Sequence, residues 1–442
     1  MVASSKLKDV QKFNHMNCRF FFRDNSSCDA TSIVSIIYFW QYLVSITSNL
    51  GIKTLCVFFI TCSVQLSLQA DELIDKKQPS WSTKVNVFNP SCTNGEVACW
   101  ADIRNSAANL ELHDYIPLKI QDVDDKHHIC VSFPHMKDSY WAGVAYGIIS
   151  EGKRLGQKIT LFEAGGYTHL EKQLTQVDDC IANGGEALII GPISNHGNAR
   201  QIELIREKGI PVLVIITGMN TTVDANSLQS FNSMAYTSCQ WITRQHAPED
   251  GNIKIVWFPG PPAAGWSMAA NEGCRRALQG SHVEIIETKW GDTGKAIQLK
   301  LVEETLQAMA SGSTPEFHYI VGTATTIEGA VGALRERKLE NKIKLVAYYY
   351  TPGMHVFLKR GLVSMTLSDQ MIIQAKIAVD QSVRLLENKP MATKGRPEFN
   401  NSQRITEHVQ PQKILVTPEN IVDFDTTTTL APKGWIPIFS VD

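Results

Sequence analysis

The sequence predicts an α/β protein built from two doubly wound parallel-sheet lobes with a ligand cleft between them. Short, unbroken apolar runs such as "HICVSFP" at 128–134 are typical of strands buried on both faces of a parallel sheet. Stretches with apolar residues at helical spacing, such as 139–156, alternate with these runs. The 442-residue chain is also longer than one small core requires. Alternation and length together favour two βα lobes in tandem.

The first lobe begins with a regular alternation of strands and helices. We predict strands at 128–134, 158–165, 186–193 and 211–218, and helices at 139–156, 170–184 and 197–208. The second of these helices ends at a glycine, which is a common helix stop signal. The pattern is that of parallel strands joined by helical crossovers.

A second series follows a polar interval. We predict strands at 252–260, 283–291, 317–324 and 343–350, and helices at 267–280, 294–311 and 327–337; a strand at 362–369, a helix at 370–387 and a strand at 413–421 come afterwards. These last elements indicate that the chain crosses back, so that several hinge segments join the lobes. We assign lobe 1 to 127–236 and 370–412, lobe 2 to 237–369, and the C-terminal strand and tail, which crosses between the lobes, to 413–442.

The N-terminal part contains two apolar runs, each shorter than the roughly 20 residues of a membrane-spanning helix. The second run resembles a signal peptide, which we place at 51–70, with cleavage before Asp71 and export to the periplasm. Residues 1–50 lack periodicity, and we interpret them as an N-terminal extension produced by an upstream mis-start. The alternative is a membrane hairpin made of both runs. Residues 71–126 are polar and predict an N-terminal arm packed on the surface.

Charge and cysteine usage restrict the partners and the compartment. The formal net charge is -2 and no long basic run occurs, which argues against nucleic-acid binding. In an oxidising periplasm two cysteine pairs could be bridged, Cys92 with Cys99 and Cys130 with Cys180. The sequence does not assign the connectivity, and a buried free cysteine is the alternative in each case.

Large aromatic residues stand at the ends of predicted strands. Tyr140 and Trp141 follow the first strand, Tyr167 follows the second, and Tyr349 belongs to the "YYY" that ends the last strand of lobe 2. The carboxyl ends of parallel strands line the ligand crevice of such folds. We therefore predict an aromatic cage, whose ring faces attract a quaternary ammonium group. The alternative is that these rings only pack the lobes together.

Two acidic residues precede predicted helices near the same strand ends. Asp138 and Asp369 are candidate helix N-caps, and at the cleft edge their carboxylates would also favour a cationic ligand. Both interpretations can hold together.

Motifs of catalysis and of cofactor binding are not found in the sequence. It contains no GxGxxG, GxxxxGK[ST], HExxH or GxSxG pattern. The adjacent His127 and His128 point to opposite faces of a strand, which favours a solvated edge over a metal site. We expect a binding protein without catalytic residues, cofactor or metal.

Four stretches resemble a known family. "KDSYWAGVAYGIISEGKRLG", "LFEAGGYTHLEKQLTQVDDCIANGGEALIIG", "PGPPAAG" and "LKRGLVSMTLSDQM" are similar to the type I periplasmic binding protein family, in the branch that senses trimethylamine N-oxide. The similarity covers about 126–440. It implies two Rossmann-like lobes, a small N-oxide or related amine in the cleft, and a partnership with the periplasmic domain of a membrane sensor histidine kinase.

The resemblance also implies which rings form the cage. The family positions correspond to Tyr140, Trp141, Tyr167 and Tyr349. Where the family has a tryptophan, this chain has Phe231, with Tyr236 and Trp241 as alternatives. The rival function is that of a substrate-binding protein of an ABC uptake system for a sugar or a quaternary amine. A hydrolase that uses the cleft is a second rival, for which no motif was found.

Overall fold

The computed structural model describes residues 81–88, 110–262, 264–311, 314–391 and 407–442. All of them lie in one unit, Gln78–Asp442, whereas the unit Met1–Lys77 contains no described residue. The predicted extension at 1–50, the signal peptide at 51–70 and the Cys92–Cys99 pair therefore lie outside the described residues. Within the described part, no helix has both the length and the apolar character needed to cross a membrane.

The elements alternate along the chain as the sequence predicts. The strands are β1 Thr83–Phe88, β2 Leu110–Tyr115, β3 His128–Phe133, β4 Lys158–Glu163, β5 Ala187–Ile190, β6 Val212–Ile215, β7 Ala225–Ser227, β8 Ile253–Gly260, β9 Val283–Trp290, β10 Ala310–Ser311, β11 Thr314–Pro315, β12 Tyr319–Gly322, β13 Lys344–Ala347, β14 Thr366–Ser368, β15 Glu407–Pro411, β16 Ile414–Val416 and β17 Ser440–Val441. The helices are α1 Ser139–Arg154, α2 Leu170–Ala182, α3 Ala199–Glu207, α4 Phe231–Arg244, α5 Gly265–Leu278, α6 Lys295–Ala308, α7 Ala324–Glu336, α8 Pro352–Lys359 and α9 Met371–Leu386.

The first lobe is built on a nine-stranded sheet in the order β17-β4-β3-β5-β6-β7-β15-β1-β2. Strands β3 to β7 pair in parallel, as the unbroken apolar runs predict. Every residue of β3, β5 and β6 is buried, because α1 and α9 cover one face of the sheet and α2 and α3 cover the other. The Cys130–Cys180 disulfide forms in this lobe and joins β3 to α2.

The second lobe contains a four-stranded parallel sheet in the order β13-β12-β8-β9. The short strands β14 and β16 pair antiparallel beside it, and Met365 bridges to Val346 of β13. Helices α4 and α5 pack closely in this lobe and are joined by the disulfide between Cys239 and Cys274. The sequence did not predict α4, which lies in the polar interval between the two series.

The N-terminal arm, predicted as a polar segment packed on the surface, contributes two strands to the first sheet. Strand β1 pairs antiparallel with β15, and β2 pairs antiparallel with β1, so both extend the first sheet. Val85 and Val87 are buried, whereas their neighbours Lys84 and Asn86 are more exposed. One apolar face is enough to hold an antiparallel strand, and such half-buried strands show a weaker apolar signal than buried parallel ones.

The crossings between the lobes differ slightly from the predicted boundaries. The whole of α4 packs on α5 in the second lobe, so the boundary assigned at 236 falls inside this helix and the chain crosses at 228–230 instead. It returns at 369–370, between β14 and α9, and crosses again at 412–413, between β15 and β16. The C-terminal tail then contacts both lobes, since Phe424 packs on Tyr350 and β17 pairs with β4.

Candidate ligand-binding site

The carboxyl ends of the parallel strands bring large aromatic side chains together between the lobes. Tyr140 and Trp141 begin α1 after β3, and Tyr167 follows β4. Tyr349 lies just after β13. Because all of these strands run in the same direction within their sheets, their carboxyl ends face one crevice.

The crevice contains a cavity whose empty space, including its opening to solvent, is about 310 Å³. Its wall consists of His135, Asp138, Tyr140, Trp141, Tyr167, Ile216, Thr217, Phe231, Trp266, Thr293 and Tyr349. Six of the seven site residues predicted from the sequence therefore lie on one wall. Their contribution to ligand binding stays a prediction.

The rings contact one another across the two lobes. Tyr140 of the first lobe meets Tyr349 of the second with ring centroids 5.4 Å apart and planes near perpendicular. Tyr167 and Trp266 lie 5.9 Å apart, and Phe231 and Trp266 lie 5.4 Å apart. These separations are typical of favourable aromatic pairs. A ligand in this cavity would touch rings of both lobes, so its binding would favour the closed arrangement.

Two glycines allow the indole rings to pack directly on the backbone. A Cβ atom at Gly191 would lie 2.5 Å from the Trp141 ring, and one at Gly260 would lie 2.5 Å from the Trp266 ring. Gly260 also has a φ of 114°, which disfavours other residues. Any side chain at these two positions would displace an indole from its place on the cavity wall.

Trp266 is a large aromatic residue of the cavity wall that the sequence analysis missed. The stretch "PGPPAAG" before it carries part of the family resemblance, but the tryptophan that follows is not among the predicted rings. Trp266 occupies the same kind of position as Trp141, in the first turn of a helix after a parallel strand. That positional rule was the signal available in the sequence.

Among the candidates for the remaining ring position, the structure places Phe231 on the cavity wall. The Tyr236 ring lies under the Arg276 guanidinium instead, 5.0 Å from its centre. Trp241 packs against the main hydrophobic core. The two alternatives to Phe231 are therefore not part of the cavity.

Asp138 combines the two roles considered for it. Its carboxylate accepts hydrogen bonds from the backbone amides of Tyr140 at 3.1 Å and Trp141 at 3.2 Å, which makes it the N-cap of α1. It also lines the cavity and is buried. Burial raises the pKa of Asp138 to about 6, although the two amide bonds oppose the rise.

Asp369 lies behind the cavity wall and not on it. It accepts hydrogen bonds from the Tyr140 hydroxyl and from the Gln374 amide, the latter at 3.0 Å. Burial raises the pKa of Asp369 to about 6, against the effect of these two bonds. The structure thus gives this carboxylate the role of orienting the Tyr140 ring.

The charge of the cavity wall is negative or neutral. Burial lowers the pKa of His135 to about 4, so its imidazole is uncharged at neutral pH. No lysine or arginine belongs to the described wall, and Lys137 is directed to Asp292 at 3.5 Å. Ring faces and a carboxylate together favour the positive end of a ligand.

In the variant Asp138→Asn we expect the free energy of unfolding to increase at neutral pH. Asparagine is an equally good N-cap, so the hydrogen bonds from the backbone amides of Tyr140 and Trp141 remain, while the buried charge is lost. The pKa of Asp138 rises from 3.8 to about 6 on folding, so the parent protein loses stability as the pH rises between these values. Denaturant unfolding at pH 4 and pH 7 measures the difference. A variant that is no more stable than the parent at pH 7 would contradict this assignment.

Among the described residues, one group resembles a metal site by composition. His128 lies near Cys130 and Cys180. Both sulfur atoms are used in the disulfide, and the His128 ring nitrogen Nε2 is 2.8 Å from the Thr160 hydroxyl. The group is therefore structural.

The fold and the cleft define the class of this protein. A model of the periplasmic binding protein domain matches residues 129–390. The chain belongs to the periplasmic binding protein family. Within that family it is similar to the periplasmic protein TorT of Escherichia coli O157:H7, with 28% identity over 79% of this chain and 93% of that protein. TorT of Escherichia coli K12 is 29% identical over 70% of this chain and 84% of the relative. The predicted resemblance and the predicted fold are confirmed.

Solved structures agree with this placement. An ABC transporter solute-binding protein from Bradyrhizobium sp. BTAi1, crystallised with bound bis-tris, is 39% identical and has a TM-score of 0.65 over 82% of this chain and 99% of that one. The complex of the TorS sensor domain with TorT in the presence of TMAO matches with 26% identity and a TM-score of 0.61, over 71% of this chain and 100% of that one.

Proposed function

We propose that this protein is an exported sensor protein that encloses trimethylamine N-oxide in the aromatic cavity and reports its presence to the periplasmic domain of a membrane histidine kinase. The observation that carries the proposal is the set of rings from both lobes around one small cavity: Tyr140, Trp141, Tyr167, Phe231, Trp266 and Tyr349. Such a wall offers ring faces to methyl groups on a positive nitrogen and few fixed polar partners to a sugar.

The two ends of trimethylamine N-oxide need different partners. The methylated nitrogen suits ring faces, whereas the oxide oxygen needs hydrogen-bond donors. The indole N–H of Trp266 is buried and completes no hydrogen bond. It lies close to the Tyr167 hydroxyl, where it opposes the rise of the Tyr167 pKa. Burial raises the pKa of Tyr167 and keeps its hydroxyl protonated. Trp266 and Tyr167 are therefore the donors that we assign to the oxide oxygen.

The kinase partner and the periplasmic location are supported by the relatives. The curated relatives are described as periplasmic proteins, and TorT has been crystallised with the TorS sensor domain both without ligand and with TMAO. This chain matches the full length of that TorT chain. A ligand that contacts both lobes changes the lobe arrangement, and a sensor domain that binds both lobes can detect the change.

Calorimetry on the exported full-length protein tests the proposal. We expect trimethylamine N-oxide to bind, to raise the melting temperature by mass action and to make the protein more compact in solution scattering. Betaine and choline serve as amine controls and ribose as a sugar control. Binding of ribose without binding of any amine would reject the aromatic cage, and scattering curves that do not change with saturating ligand would reject signalling by closure.

The second candidate function is that of a solute receptor for ABC uptake of a quaternary amine or a sugar. The 39% identical Bradyrhizobium protein is an ABC transporter solute-binding protein, and bis-tris is a tertiary amine with hydroxyl groups. Co-purification with the sensor domain of the kinase encoded beside the gene distinguishes the two functions. A complex that forms supports sensing, and a neighbouring permease gene without a kinase gene supports uptake.

A further inference from the structure

A second cavity lies next to the aromatic one, with about 730 Å³ of empty space including its opening. Thr217, Phe231 and Trp266 belong to the walls of both cavities. The two rings thus form a partition with ring centroids 5.4 Å apart. The side chains beyond this partition are not used by the proposed recognition of trimethylamine N-oxide.

The chemistry of the second cavity differs from that of the first. Its described wall contains no aspartate, glutamate, lysine or arginine. Thr221 and Asn226 are 7% and 3% exposed and belong to this wall. A hydroxyl or amide group that lines a cavity is expected to hydrogen-bond water or a ligand there. The wall fits an uncharged part of a ligand that donates and accepts hydrogen bonds.

The backbone at the partition is strained. Ile216 has a φ of 67°, which is rare for a β-branched residue, and the amide of Thr217 donates to the carbonyl of Ile215 at 2.7 Å. This is a three-residue turn of the strained kind. Ile216 lies on the wall of the aromatic cavity, and the chain from Thr217 onward lines the second one. Strain of this kind is concentrated at functional sites.

The second cavity also lies between the lobes. The Asn195 side chain of the first lobe covers Gly265 of the second, where a Cβ atom would lie 2.1 Å from the Asn195 amide nitrogen. Both residues line the cavity. A ligand there would contact both lobes, as in the aromatic cavity.

We propose that the second cavity is a subsite for an uncharged, hydroxyl-bearing arm of an amine whose nitrogen lies in the aromatic cage. The proposal rests on the proposed amine recognition and extends it to larger ligands. Asn226 and Thr221 bind the hydroxyl groups of the arm. Thr217, which both cavities share, lies where the arm passes from one to the other.

Two matched amines test the subsite in the full-length exported protein. N,N-dimethylglucamine and N,N-dimethylhexylamine carry the same tertiary amine and arms of six carbons, with and without hydroxyl groups. We expect the glucamine to bind at least about tenfold more tightly in calorimetry, since two or more net hydrogen bonds are gained. Equal affinity for the two amines would overturn the subsite.

Two variants locate the effect. Asn226→Leu and Thr221→Val keep side-chain volume and remove hydrogen-bonding groups. Each should weaken binding of N,N-dimethylglucamine about threefold to tenfold, because one hydrogen bond is lost, and leave trimethylamine N-oxide within about twofold. Thr221→Val is the smaller change and keeps the test valid if Asn226→Leu does not fold. Unchanged glucamine affinity in the folded variants would contradict the subsite.

The outcomes separate this inference from the proposed function. The protein could bind N,N-dimethylglucamine, with an affinity that depends on Asn226 and on Trp141, and not bind trimethylamine N-oxide. That outcome would support the subsite and refute the N-oxide as ligand. N-oxide binding with equal affinity for the two longer amines would support the proposed function and refute the subsite. A protein that binds no amine would refute both.

Discussion

In the variant Trp141→Ala, trimethylamine N-oxide should bind about ten- to a hundredfold more weakly, which corresponds to about 1.5–3 kcal/mol. The indole is 3% exposed, packs on Gly191 and lies 4.8 Å from the Phe133 ring, so its position is fixed before the ligand arrives. Its removal costs ring-face attraction and apolar contact area together. Tyr349→Ala should cost less, because tyrosine has the weaker ring quadrupole and the smaller area. Calorimetry gives the affinities.

The control for this variant lies on the same helix. The Tyr146 ring of α1 packs on Trp435 at 5.4 Å and is not part of the cavity. Tyr146→Ala should leave affinity within about twofold. Since a buried indole also supports the fold, Trp141→Leu provides a version with a smaller packing defect. Parental affinity in a folded Trp141 variant would mean that the rings only pack the lobes together.

In the variant Asp380→Asn, the free energy of unfolding should decrease by about 3–5 kcal/mol, the usual cost of removing one partner of a buried ion pair. Asp380 is fully buried and accepts hydrogen bonds from Arg384 Nε at 2.6 Å, the Tyr115 hydroxyl at 2.7 Å and the Leu118 amide at 2.6 Å. The asparagine leaves the Arg384 guanidinium buried without its carboxylate. It also weakens the attachment of β2 to α9. Denaturant unfolding measures the change.

An exposed ion pair between β1 and β2 provides the control. Lys84 and Asp114 are 2.9 Å apart, with side chains 59% and 67% exposed. Asp114→Asn should change stability by less than about 1 kcal/mol, because water screens exposed charges. If the two variants lose similar stability, burial of the Asp380 cluster is not what stabilises this part of the sheet.

The alternation of elements could be predicted because parallel strands carry a strong local signal. Strands β3, β5 and β6 are buried on both faces, so their sequences are continuous apolar runs. The arm could not be predicted in the same way. In β1 only alternate residues face the core, and its pairing partner β15 lies more than 300 residues further along the chain. That partner had to be known before the strand could be recognised.

Four rings of the cavity wall could be predicted, because their position directly after a strand decides where they lie. Tyr140, Trp141, Tyr167 and Tyr349 follow parallel strands, and the topology of the fold brings such positions to one crevice. The choice of Phe231 over Tyr236 and Trp241 needed the orientation of α4. Only residues on one face of that helix reach the cavity. Because the sequence analysis did not predict α4, it could not say which of its residues share that face.

By itself the sequence determined the doubly wound architecture and the aromatic character of the cleft, because both depend on residues that are neighbours in sequence or follow a strand directly. The tertiary structure decided which further ring joins the cavity wall, the disulfide between Cys239 and Cys274, and the crossing at 228–230. It also placed Asp369 behind Tyr140 and not on the cavity wall. Each of these depends on how α4, α5 and α9 pack, and packing is set by contacts between segments far apart in the chain.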